Sequence, residues 1–241
     1  MKRILLLTVA FALSSAAFSA AEESAPVSAP EAAAPVLRHA VVCPPFKGDP
    51  ELAPLYHAAL LDALSACPRI ELLPPSRRAR PAYTYRIDGR IISPHSPDGD
   101  PQVLVTLTDL ARNETISSIL APAGRNADLR NWKKGCTERV ERAANALPFE
   151  CRVSKLKKGQ NSYTIDRGSS AGLQPGMVLF AADEEDELYS PETGEAIGRN
   201  SPRAFGKILI FRTNEQSAYG RPYRQKAFPK GHAPTFVARE F

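Results

Sequence analysis

The chain is 241 residues long, with 22 prolines and 7% aromatic side chains, a composition that favours short elements joined by many turns. Its formal charge of +5 falls once Lys2 and Arg3 leave with an N-terminal signal. The mild basic excess that remains excludes nucleic acid as an expected partner.

Lys2 and Arg3 precede an apolar run over residues 4–13 and small residues over 14–21, the pattern of a secretory signal. The run is shorter than the ~20 residues of a membrane-spanning helix, and Ser19 and Ala21 stand at the spacing a signal peptidase reads before Glu22. No later stretch is apolar enough to span a bilayer, and no cysteine stands at the cleavage region to accept a lipid. Residues 1–21 are therefore expected to be a signal peptide removed on export to the periplasm, leaving a soluble chain with no transmembrane segment. Residues 22–36, rich in Ala, Pro, Ser and Glu, cannot bury enough apolar surface to offset their ordering entropy, and a disordered leader is expected there.

From residue 37 the order reads strand, helix, strand. Residues 37–43 are apolar and partly β-branched, and Pro44, Pro45 and Gly48 close them. Leu52, Leu55, Tyr56, Ala59, Leu60, Ala63 and Leu64 recur at three- and four-residue steps behind a capping Asp49, which predicts a helix ended by Pro68. A short strand at 70–73 follows. Residues 83–92 alternate, with Gly89 as a bulge or a site of close approach. In 102–110, Val103, Val105, Leu107 and Asp109 share one face, and Leu104, Thr106, Thr108 and Leu110 the other. Residues 94–101 read as the loop between these strands, 114–120 as a further strand, and 128–147 as a helix turning Leu129, Trp132, Cys136, Val140, Ala143, Ala144 and Leu147 inward.

The segments 40–46, 85–91 and 105–110, placed in this order, resemble the N-terminal domain of the translocation protein TolB and the related core of curli-secretion proteins. That resemblance implies a domain used in envelope assemblies and carries no catalytic residue across.

Past Pro148 helical periodicity stops, and short strands at 161–166, 176–181, 205–211 and 235–238 alternate with Gly and Pro turns, as in a small closed barrel. The fold class expected is α+β: an α/β sandwich of about five strands and two helices over 37–147, then a small all-β barrel over 148–241. Gly168, Gly172 and Gly176 permit tight backbone approach, and Pro191, Thr193 and Gly194, followed by Gly198, suit a β-turn. The run 163–180, the Pro-x-Thr-Gly hairpin at 191–194 and the pair Ser217 and Ala218 resemble the C-terminal domain of flagellar assembly protein T. This likeness covers 151–241 and implies an envelope assembly module.

Reactive chemistry is sparse. His39, His57, His95 and His232 form no metal-ligand spacing, the acidic run at 183–187 lacks the pattern of a calcium loop, and no nucleophile elbow, zinc-protease helix, dinucleotide fingerprint or phosphate loop is present. No metal and no cofactor is expected. Cys43, Cys67, Cys136 and Cys151 are even in number in an exported chain, with no Cys-x-x-Cys pair, which favours disulfides over metal ligation, with buried free thiols as the alternative. A helix rising ~1.5 Å per residue carries Cys67 to the end of the sheet opposite Cys43, beyond the ~7 Å between Cα atoms that a bridge allows, and the last helix parts Cys136 from Cys151. The expected bridges join Cys43 to Cys136 and Cys67 to Cys151.

The function expected is that of a non-catalytic, exported envelope component that binds a protein partner through an exposed strand edge or barrel loop. A second reading is a module binding cell-wall glycan or another anionic polymer through Arg77, Arg78 and Arg80 and through Lys155, Lys157 and Lys158. A third is a hydrolase of envelope polymers, for which no catalytic residue can be named.

Overall fold

A computed structural model describes residues 35–76, 80–93, 100–155, 161–184, 187–199, 204–228 and 235–239. The expected signal peptide, most of the expected leader and most of the expected loop at 94–101 lie outside these residues. Pro35–Phe241 forms one compact unit with a sheet half and a barrel half.

The sheet half runs β1 (His39–Val42), α1 (Leu52–Ala66), β2 (Ile70–Leu73), β3 (Thr84–Ile92), β4 (Gln102–Asp109), β5 (Glu114–Pro122) and α2 (Ala127–Ala146). The strand order is β2-β1-β3-β4-β5. β1 is parallel to both neighbours, and α1 is the crossover that a parallel β1–β2 pair requires. Asp49 starts α1 as expected: one carboxylate oxygen accepts the N–H groups of Glu51 and Leu52 at 2.8 and 2.9 Å. Both helices cover one sheet face, where the α1 stripe of Leu52, Tyr56, Leu60 and Leu64 and the α2 stripe of Trp132, Cys136, Val140 and Ala144 meet Val41, Ile87, Ile91, Val103 and Val105. The register of β3 on β4 is unbroken through Gly89, so no bulge stands there. It is instead a close approach, because the Phe46 ring fills the space a Gly89 side chain would need.

The barrel half contains β6 (Glu150–Lys155), β7 (Tyr163–Ile165), β8 (Val178–Ala182), β11 (Ala204–Thr213), β12 (Ala218–Pro222) and β13 (Thr235–Arg239), closed in the order β11-β12-β7-β6-β13-β8. β9 (Glu187–Tyr189) and β10 (Ala196–Arg199) form a separate hairpin. Alternation builds the interior: Cys151 and Val153 are fully buried while Arg152 and Ser154 between and beyond them face out, and Ile165, Leu173, Leu179, Ile208 and Ile210 complete the core. Closure leaves this sheet without an edge. The α+β class with a barrel-like part is the one the sequence predicts.

Buried ionic groups join the halves. Arg167, 2% exposed, donates through Nη2 to the Arg38 carbonyl at 2.6 Å and to Glu71 Oε2 at 3.0 Å, and its guanidinium carbon lies 5.6 Å from the Phe149 ring centroid. Arg112 bridges Asp109 at 2.6 Å and Glu150 at 2.9 Å. The Asp166 carboxylate accepts the N–H groups of Ala82 and Arg152, both at 2.7 Å. Burial raises the Asp166 pKa, and these two hydrogen bonds and the nearby Arg167 and Arg152 charges counter it.

Removing one member of such a buried pair strands the other without compensation. The variant Arg167→Met is expected to lose about 3–5 kcal/mol of stability, read as a lower urea midpoint at unchanged slope.

Candidate functional site

The outer edge of the sheet is where the molecule is least finished. Among the described residues β5 pairs only with β4, and of its nine residues only Ile119 and Ala121 are partly buried. Its free side therefore presents backbone N–H and C=O groups that no strand of the sheet satisfies. The register on β4 shifts between Leu107 and Thr108, leaving Ile116 as the extra residue of a bulge. Beyond the bulge the ladder runs regularly from Ser117 to Pro122. Ile116 and Leu120 are 45% and 56% exposed, unusual for large apolar side chains on a strand.

The sheet face away from the helices has its own small buried cluster of Ala40, Val42 and Leu73, with Leu110 packed against it. It holds the Arg86–Asp88 pair at 2.7 Å and the Thr106 and Ser118 hydroxyls 3.4 Å apart. A strand laid along β5 would meet mixed polar and apolar side chains on that face and unpaired backbone groups along its length. This geometry suits strand addition.

The glycines and turn residues singled out from the sequence lie in the barrel half. Gly168 and Gly172 flank a single 3₁₀ turn at Ser169–Ala171, which is pinned by Ser169 N–H to Asn214 O at 2.9 Å and Ser170 N–H to Glu215 O at 3.0 Å. Gly172 has φ of 85°, and a Cβ there would run into the Val36 carbonyl, so both conformation and space require glycine. Gly176 donates to Ile210 O at 2.8 Å. Pro191, Thr193 and Gly194 make the turn between β9 and β10, where Ser190 accepts from Thr193 and Gly194, and Gly198 pairs with Leu188. None of these glycines meets a titratable cluster.

Arg80 is exposed and donates to the Pro75 carbonyl at 2.7 Å, and Lys155 stands in β6 opposite Tyr163. Arg77, Arg78, Lys157 and Lys158 lie outside the described residues, as do His95 and His232.

The disulfide expectation is corrected: Cys43, Cys67, Cys136 and Cys151 are all free, buried thiols. The helices do not deliver them in pairs across one sheet. Cys43, Cys67 and Cys136 belong to the sheet core, whereas Cys151 belongs to the barrel core and donates to the Ala238 carbonyl at 3.4 Å. Burial pushes the Cys43 thiol up to about 12 and Cys136 to about 11, and holds Cys151 well above its ordinary value. Such thiols are poor nucleophiles near neutral pH.

Among the described residues no group of three or more His, Cys, Asp or Glu is placed to hold a metal, and no helix is long and apolar enough to cross a membrane. His57 is half-buried, its Nε2 3.5 Å from the Cys43 carbonyl and its ring 5.3 Å from that of Phe46. His39 is the unusual one. It is 2% exposed on β1, edge-on to Tyr85 at 6.0 Å, with no partner for Nε2. Its pKa falls to about 4, first through burial and then through the charges of Arg69 and Arg167, against an opposing pull from the Ala144 backbone. Sequence reading passed over it; the only available signal was a histidine inside the apolar run of β1.

No family model matches the chain, and no curated protein matches it in sequence. Among solved structures, TolB from Acinetobacter baumannii aligns at 15% identity over 77% of this chain and 58% of its own, with a TM-score of 0.34. The chain thus spans less than two thirds of that protein. A PelC dodecamer from Paraburkholderia phytofirmans aligns at 18% identity over 45% of this chain and 92% of its own, with a TM-score of 0.29. A protein from Xanthomonas campestris aligns at 10% identity over 48% and 86%, with a TM-score of 0.28. The functional reading rests on the geometry above.

A histidine whose folded pKa lies below its unfolded value costs stability wherever the unfolded chain takes the proton and the folded chain does not. Stability is therefore expected to hold above pH 6.5 and to fall from there toward pH 4, by about 1.4 kcal/mol per pH unit for this one group. Urea midpoints measured across that window test it, with His39→Phe expected to flatten the decline.

Proposed function

We propose that the chain is a non-catalytic component of an exported, periplasmic envelope assembly, and that it recruits a protein partner as an added strand along β5. The observation that carries this reading is the bare edge over residues 117–122, next to the exposed Ile116 and Leu120. Soluble proteins cover or charge such edges when they have no use for them. Here the β5 segment SSILAP contains no charged residue at all.

The bulge at Ile116 supports the same reading, because it ends regular pairing on the barrel side and fixes where an incoming strand must begin. Backbone hydrogen bonds would supply affinity, and the exposed Ile116 and Leu120 side chains would select the partner's side chains. The likeness of residues 151–241 to flagellar assembly protein T belongs to this reading as one form such an assembly takes. No acid–base pair or nucleophile is needed for it.

The experiment is capture from an envelope extract with the purified chain, repeated with Ile116→Lys combined with Leu120→Lys. Both side chains are exposed, so circular dichroism should be unchanged. The double variant is expected to reduce recovery of the bound protein at least about tenfold. Equal recovery by both chains would contradict strand addition at β5.

A further inference from the structure

The cleft beneath α2 is a second feature, which reaches β5 at Ser117 and Ile119. It has a volume of about 100 Å³ and lies between α2 and the helix-covered sheet face, walled by Leu60, Leu64, Ile87, Val105, Ile119 and Val140. α2 lines it from Trp132 past Ala144, which at the rise of a helix is a length of about 18 Å. A half-open cleft with apolar walls along that length suits an extended hydrocarbon chain lying beside α2.

Its two ends differ in chemistry. At one end the Trp132 indole is 5% exposed, yet its Nε1–H has no acceptor among the described residues. A buried donor left without a partner is costly and rare, and it marks a place where a ligand atom can bond. Beside it stands Arg139, exposed on α2 and lining the same cleft, with its guanidinium carbon 5.7 Å from the Trp132 ring centroid. An indole N–H and a guanidinium together offer donors and positive charge but no acceptor, which is the requirement of an anion. At the other end lies His39, held neutral by burial and by the nearby Arg69 and Arg167 charges, so that end carries no charge of its own.

We infer that this cleft binds a single-chain anionic amphiphile, a fatty acid, with its hydrocarbon along α2 and its carboxylate between Trp132 Nε1 and the Arg139 guanidinium. The apolar walls exclude a sugar or a peptide backbone, whose polar groups would find no partners there. Ser117 of β5, exposed and at the cleft wall, marks the mouth through which the chain enters.

Trp132 is the single tryptophan of the chain, so its fluorescence reports on this site alone. Dodecanoate and dodecanol, each kept below the concentration at which it aggregates, are titrated into the purified protein, and calorimetry gives the stoichiometry. The expected result is a saturable change with one dodecanoate per chain. Arg139→Ala should weaken dodecanoate about tenfold and leave dodecanol unchanged, since only the carboxylate uses that donor. Ser117→Phe, which fills the mouth from an exposed position, should abolish both, with circular dichroism confirming that each variant is folded. No saturable change, binding that neither variant alters, or an equal loss of both probes in Arg139→Ala would overturn the assignment.

Discussion

A guanidinium buried to 2% exposure has to be surrounded by acceptors, and the placing of Arg167 sets the arrangement of the whole molecule. Its partners come from the entry to β1, the middle of β2 and the residue just before the barrel, namely the Arg38 carbonyl, the Glu71 carboxylate and the Phe149 ring. Those three segments are far apart in sequence and can meet only if the barrel is seated against the sheet. Asp166 beside it receives one N–H from each half, and Arg112 spans from the turn after β4 to Glu150. The barrel is thus held by polar groups whose geometry admits one docking position. An apolar interface alone would fix that position less strictly, because dispersion and burial are not directional.

The same seam explains which surface is left over. Contacts to the barrel arise where β1 and β3 begin, on β2, and in the turn that follows β4, while the stretch of β5 from Ser117 onward points away from all of them. The two helices cover the opposite face only as far as β4 and the inner side of β5. An unpaired strand edge and a cleft under α2 are consequences of a sheet with five strands covered by only two helices. In this account the edge and the cleft are the functional surfaces, and the seam is what makes them rigid.

Much of the sheet half was legible because local periodicity and tertiary burial agree there. The stripe of α1 apart from Leu55, which is 42% exposed, the Asp49 cap, the alternation of Val103, Val105 and Leu107, and the inward face of α2 stand where spacing places them. The barrel was legible as a class and less so strand by strand. β12 is not among the strands expected from the sequence, since Gly220 and Pro222 interrupt its pattern, and its place is set by pairing with β7 and β11. The cysteines misled because an even count in an exported chain says nothing about which core receives each one. Pattern assigns a residue to a face but not to a partner, so neither the buried Arg167 seam nor the unpaired indole of Trp132 had a signal in the sequence.

If the buried ionic seam makes the sheet and barrel one body, the two halves unfold together. Native-state hydrogen exchange at the Ala82, Arg152 and Ile208 amides, together with the Val105 amide deep in the sheet, tests this directly. All four are predicted to exchange through a single opening free energy equal to that of global unfolding, with the same dependence on denaturant. Two distinct free energies, one for the sheet amides and one for the barrel amides, would show that the seam does not couple the halves.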